Sequence, residues 1–182
     1  MSLTNKTIDD YLNPSSDKPL GVKRQRIEDH VIIQCDGGEQ VVLHKTHPFL
    51  KESAFDTMIK LCMDEKNTTI PIRDMTEQQV NTICIFYKIS KSEAEEVFYN
   101  TIIKNIINTP NKSFSLEKRN ELNRLHAVCD KYGIDTICKP LIAAWAKVIR
   151  IHSNDVESFQ NTFGIEVKGL ERKLTEINDF IK

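Results

Sequence analysis

The stretch "HVIIQCDGGEQVVLHK", His30–Lys45, decides how the rest of the chain is read. Two apolar runs, Val31–Ile33 and Val41–Leu43, flank Asp36-Gly37-Gly38. Aliphatic and β-branched residues suit a pleated strand. The glycines supply positive φ at little cost in the turn. The stretch therefore predicts a β-hairpin. Both runs are apolar at successive positions, which predicts that helices cover both faces of the sheet at least in part.

Beyond the hairpin the pattern turns helical. Phe55, Met58, Ile59 and Cys62 recur at one-face helical spacing, with Ser53 placed to cap the start. "NTTIPIRDM" predicts a short third strand that stops near Pro71. Thr76 and Gln79 have capping-box spacing ahead of a face made by Val80, Ile83, Cys84 and Tyr87. Residues 92–115 start helical and end in a polar turn around Pro110. Leu122, Leu125, Cys129 and Tyr132 form the stripe of a further helix, which Gly133 can end. Leu141, Ala144, Trp145 and Val148 share a face of the next, where Pro140 is tolerated in the first turn. A short helix is expected around Val156, Phe159 and Phe163. Last, Val167, Leu170, Leu174, Ile177 and Ile181 form an apolar seam on an otherwise charged helix. Three short strands need helices packed on them, so the class is α+β, mainly α.

Composition bounds the function. The 182 residues are 40% hydrophobic and 28% charged, enough for one core. A net charge of −1 gives no global field toward nucleic acid or anionic membrane. The start of the chain lacks the apolar run of a signal peptide, and no segment has the apolar length of a membrane span. Five cysteines without a CxxC pair read as buried structural thiols in a reducing compartment. His44 and His47 lie near Cys35 but lack a second matched ligand pair, so no metal is expected. There is no P-loop, nucleophile elbow or GxGxxG, and Asp36-Gly37-Gly38 lacks the helix start and lysine of a phosphate cradle. A non-enzyme without cofactors is expected.

The strand-strand-helix-strand-helix start, followed by "LHAVCDKYGIDTICKPL", resembles the BTB/POZ fold shared by elongin C and the Skp adaptors of ubiquitin ligases. The phrase from Ala127 through Tyr132 and Ile134 to Ile137 looks like the superfamily's "A-x-x-L-x-I-x-x-L". "SAFDTMI", Ser53–Ile59, is similar to the "S-x-x-I-x-x-M-L" helix, with one residue fewer after the serine. The tail separates the branches. "VESFQNTFGI" resembles the Skp phrase "E-E-I-R-K-T-F-N-I", with Thr162, Phe163 and Ile165 in register, whereas elongin C ends earlier. The resemblance covers roughly residues 30–170.

The resemblance implies a BTB/POZ-like core over 30–135 and a partner-binding helical extension over 136–182, while the prolines, serines and glycine of "NPSSDKPLG" predict a flexible arm over 1–29. It implies a scaffold that links an F-box-type protein to a cullin. Trp145, Val148, Ile149, Phe159, Phe163, Ile165, Leu170 and Leu174 are then the candidate F-box interface. Three departures stand out. Asp130 and Lys131 replace the Asn-Tyr pair that faces the cullin in Skp adaptors, so an aromatic anchor is exchanged for charge. Residues 92–109 look helical instead of forming an acidic loop, and the tail helix carries an apolar seam. The alternative is a BTB-fold interaction module that forms homodimers.

Two motifs lie in the arm. "KRQR", with Lys23, Arg24 and Arg26, resembles a nuclear localisation signal, which implies nucleus and cytoplasm. "NKTIDDYL" resembles the motif that docks on the sliding clamp of replication. Ile8 and Tyr11 match it, but Asn5 replaces the glutamine and Leu12 the second aromatic, so clamp docking is not the favoured reading.

Overall fold

A computed structural model describes residues 7–8, 30–51, 53–62, 69–107, 116–152 and 168–179. Strand β1, His30–Gln34, pairs antiparallel with β2, Gln40–His44, placing Val31 opposite Leu43 and Ile33 opposite Val41. Between them Asp36–Gly38 form a single 3-10 turn, in which Gly37 and Gly38 adopt φ of 86° and 87°. Those angles are why the turn is written with glycine. The Cys35 amide closes the turn on the Glu39 carbonyl at 2.7 Å, and the Asp36 amide ties it to the Met75 carbonyl at 2.8 Å.

Strand β3, Thr69–Pro71, lies parallel to β1 on its other side, so the order is β2-β1-β3. It ends at Pro71 as the sequence suggests, and Ile72 still donates to the Gln34 carbonyl at 2.7 Å. Only one face of the sheet is sealed. Val31, Ile33, Val41, Leu43 and Ile70 are buried. On the other face Ile32 is half-buried and its partner Val42 is 60% exposed. The expectation of cover on both faces therefore fails at β2, whose residues alternate strictly in and out.

Helices α1, Pro48–Lys51, and α2, Ser53–Cys62, make the crossover that a parallel strand requires. Ser53 is the first residue of α2. Phe49 and Phe55 pack at 4.5 Å between ring centroids, and Phe55 stacks on Tyr132 at 5.1 Å. Helix α3, Glu77–Phe86, starts with the predicted capping box. The Thr76 hydroxyl accepts from the Gln79 amide at 3.2 Å, and the Gln79 side chain accepts from the Thr76 amide at 2.9 Å. Helix α4 runs from Lys91 to Ile107, while the polar turn expected around Pro110 lies outside the described residues. Phe86 of α3 stacks on Phe98 of α4 at 4.6 Å.

Helix α5, Leu116–Tyr132, buries Leu122, Leu125, Cys129 and Tyr132, the predicted stripe. Gly133 at φ 67° ends it, and the Ile134 amide donates back to the Cys129 carbonyl at 2.8 Å. Helix α6, Asp135–His152, follows at once and packs on α4, α5 and α3. Pro140 is its sixth residue, in the second turn and not the first, so the ladder lacks a donor to the Thr136 carbonyl. Helix α7, Leu170–Asp179, returns onto α6. The helix expected around Val156, Phe159 and Phe163 lies outside the described residues.

The molecule is thus mainly helical with a small three-stranded sheet. One apolar cluster takes in residues from Ile8 to Leu174 and crosses the boundary expected at residue 135. Among the described residues, the extension shares its core with everything before it. Of the arm over 1–29, the described residues Thr7 and Ile8 are buried.

Candidate interaction surfaces

The candidate F-box interface divides in two. Trp145, Val148 and Ile149 have no exposed surface, Leu170 has 1% and Leu174 has 7%. These five pack within the chain's own core and are not themselves available to a partner. The reason is local: the chain turns back through Gly169, at φ 84°, and α7 packs on α6 with Leu170 and Leu174 buried. Phe159, Phe163 and Ile165, together with Val167 of the seam, lie outside the described residues. The residues of α6 that are exposed, among those described, are Asp135, Lys139, Lys147, Arg150 and Ile151, the last 55% exposed. Helix α7 adds Glu171, Arg172, Thr175 and Glu176. That face is charged, with one aliphatic residue at its end.

Asp130 and Lys131, the candidate cullin-facing pair, close two long-range contacts. Lys131 Nζ ion-pairs with Asp74 in the loop after β3, and lies 5.2 Å from the Tyr132 ring centroid. Tyr132 Oη donates to Asp74 Oδ1 at 2.6 Å. Burial opposes ionisation of Asp74, but the donors from Lys131 and Tyr132 outweigh it and hold the carboxyl below the usual range. Burial, then the bond to Asp74, pushes the Tyr132 phenol up. Asp130 accepts from Lys168 Nζ at 2.9 Å, just before α7. The end of α5 is therefore fastened to the β3 loop on one side and to the α7 turn on the other. Asp74, Tyr132 and Lys168 had no signal in the sequence for these roles, since their partners lie 57, 58 and 38 positions away.

A groove of about 600 Å³ opens beside Asp74, between α3 and α5. Gln78 and Thr82 come from α3, and Asn120 and Arg124 from α5. Ile8 forms part of its lining. That residue is 2% exposed, and its amide donates to the buried Thr101 Oγ1 of α4 at 3.2 Å. The Thr101 hydroxyl in turn donates to the Val97 carbonyl at 2.8 Å. The resemblance to a clamp-docking motif gave Ile8 an external role, whereas here it is seated on its own chain. Tyr11 and Leu12, and also Lys23, Arg24 and Arg26, lie outside the described residues. A second cavity of about 320 Å³ lies where α3 ends and α4 and α6 begin, and Phe86, Tyr87 and Pro140 help to line it.

The groups singled out for chemistry are occupied structurally. His44 Nδ1 and Thr46 Oγ1 share a hydrogen bond at 2.7 Å, and His47 Nδ1 accepts from the Phe49 amide at 3.3 Å. Burial, with help from Lys88, lowers the His47 pKa. Cys35, Cys84, Cys129 and Cys138 are free and buried. Burial pushes the Cys84 thiol up to about 11 and the Cys138 thiol up to about 12. Among the described residues no group of three His, Cys, Asp or Glu side chains could hold a metal ion. No helix among them is long and apolar enough to cross a membrane.

No family model matches the chain, and no curated protein or solved structure matches it significantly. The functional reading therefore stands on the residues and their arrangement.

Proposed function

We propose that this chain is a non-catalytic adaptor of the Skp type, joining an F-box-type protein to a cullin-type ubiquitin ligase in nucleus and cytoplasm. One observation carries the reading. The β2-β1-β3 sheet is antiparallel on one side of β1 and parallel on the other, and helices follow that end in the pair α6 and α7. That is the element order the BTB/POZ resemblance calls for. In this reading Trp145, Val148, Ile149, Leu170 and Leu174 support the partner site from beneath. Contact itself falls to Ile151 and to the stretch that carries Phe159, Phe163 and Ile165. At the cullin side, Asp130 and Lys131 present charges already paired, which tune encounter more than they hold a complex.

Affinity purification of a tagged chain with mass spectrometry tests the proposal. Cullin and F-box peptides should appear together; recovery of neither overturns it. Alanine at Lys23 and Arg24 should reduce nuclear signal of the tagged chain, and unchanged imaging removes the localisation part. A second reading is a BTB-fold interaction module outside a ligase. It is favoured by Val42, which is 60% exposed on the edge strand β2, where a second chain could pair. Light scattering at twice 21.0 kDa supports the homodimer, and a strict monomer excludes it.

A further inference from the structure

The cavity of about 320 Å³ is built where three helix ends meet. Its floor is apolar. Phe86, at the end of α3, and Ala94, in the first turn of α4, are each 1% exposed. The stack of Phe86 on Phe98 holds that ring in place. Pro140 of α6 adds a further apolar surface, and the half-buried Tyr87 and Ile89 make the wall. An apolar cavity of this size with a few polar groups at its edge suits a small ligand.

The polar groups are few, and each stands in a different state. Lys139 ion-pairs with Asp135, one turn away on α6. Their side chains are 61% and 63% exposed, so solvent screens the pair and a competing ion can open it. Lys91 has no ion pair among the described residues. The rim therefore carries two cations and one acid, with a lysine in excess. The last group is a backbone acceptor. Pro140 cannot donate to the Thr136 carbonyl, and both residues line the cavity. The gap in the α6 ladder thus borders the cavity and leaves a carbonyl without its helical donor.

We propose that this cavity binds a free α-amino acid with an apolar side chain. The side chain lies over Phe86, Ala94 and Pro140. The carboxylate pairs with Lys91, and the ammonium donates to the Thr136 carbonyl and the Asp135 carboxylate. A ligand of both signs suits a rim of both signs. A plain acid offers no donor to the carbonyl, and a plain amine leaves Lys91 unanswered. The inference is independent of the adaptor reading, because it uses neither Ile151, nor α7, nor the pair Asp130 and Lys131.

The probe is L-phenylalanine, added to the 15N-labelled full-length chain and followed by amide chemical shifts. Saturable shifts should cluster at residues 86–94 and 135–139. 3-Phenylpropanoate lacks the ammonium and 2-phenylethylamine lacks the carboxylate, and each should bind about ten-fold more weakly. Lys91→Gln, at an exposed position, should weaken phenylalanine by about the same factor and leave the amine unchanged. Ala94→Leu should fill the floor and abolish binding; if that variant does not fold, the Lys91 comparison decides alone. No saturable shifts up to about 10 mM phenylalanine, or shifts centred elsewhere, overturn the proposal. Equal affinity for the amine removes the carboxylate site, and equal affinity for the acid removes the ammonium site; either result overturns the assignment of an amino acid.

Discussion

Asp74 receives donors from two neighbouring residues of one helix end, and the two are not equal in worth. The Lys131 side chain is 61% exposed, so solvent screens its ion pair with Asp74. Tyr132 is 7% exposed, and losing its partner strands a phenol with little access to water. Lys131→Met should therefore cost less than about 1 kcal/mol in urea denaturation. Asp74→Ala should cost about 1–3 kcal/mol. A larger effect at Lys131 than at Asp74 would show that the ranking is wrong. The histidines set a different signature. His126 is 4% exposed, and its Nε2 has no hydrogen-bond partner among the described residues. Burial lowers its pKa, against the Asp130 charge and with that of Lys168. The unfolded chain therefore binds the proton more readily, and stability falls as pH drops below about 6.5. Asp74 works in the other direction: its contribution is present above the ordinary aspartate pKa and is lost only in stronger acid. Between pH 7.5 and 5.5 the stability loss should follow the histidines, at no more than about 1.4 kcal/mol per pH unit for each. His126→Gln should flatten that dependence, and an unchanged slope would move the effect to His47. None of this was legible beforehand, since a long-range partner leaves no periodicity to read.

Elements were more legible, because hydrophobic spacing and capping chemistry are local. The hairpin, the Thr76 capping box and the α5 stripe stand where their residues predicted. Thr76→Ala should cost about 1 kcal/mol, through the lost acceptor for the Gln79 amide. Leu174→Ala on α7 should cost more, about 2–5 kcal/mol, because that side chain is 7% exposed against α6. Thermal or urea unfolding distinguishes the two, and near-neutrality at Leu174 would mean that α7 does not pack on α6 in solution. The misreadings have a common origin. A run of apolar residues in β2 cannot reveal whether anything covers its outer face, and Val42 shows that little does. A seam on a terminal helix likewise cannot reveal whether it meets a partner or its own neighbour. Pro140 was expected in a first turn, yet it lies one turn further in, because α6 begins directly after Gly133 and Ile134.

At the scale of the molecule, one core joins the sheet and the helices, with Trp145 at zero exposure within it. Opening any part should therefore expose much of the rest. The thiols report this directly. Cys35, Cys84, Cys129 and Cys138 are buried with pKa values pushed upward, so all four should resist thiol reagents near pH 7.5. They should become reactive together across the urea transition, counted by mass spectrometry. Early labelling of Cys35 alone would instead place a separate opening at the hairpin. The fold class was readable from the order of strands and helices. The sharing of one core between 30–135 and 136–182 was not, because only tertiary packing decides it.

The position of α6 along the chain matters before the protein is finished. Translation delivers α3 to α5 first, and the helix that packs on them begins only at Asp135. Until it has left the ribosome, the faces of α4 and α5 that pack on α6 have nothing to close over them. Nascent chains stalled at Gly133 should thus recruit hydrophobic-binding chaperones, and chains extended beyond α7 should release them.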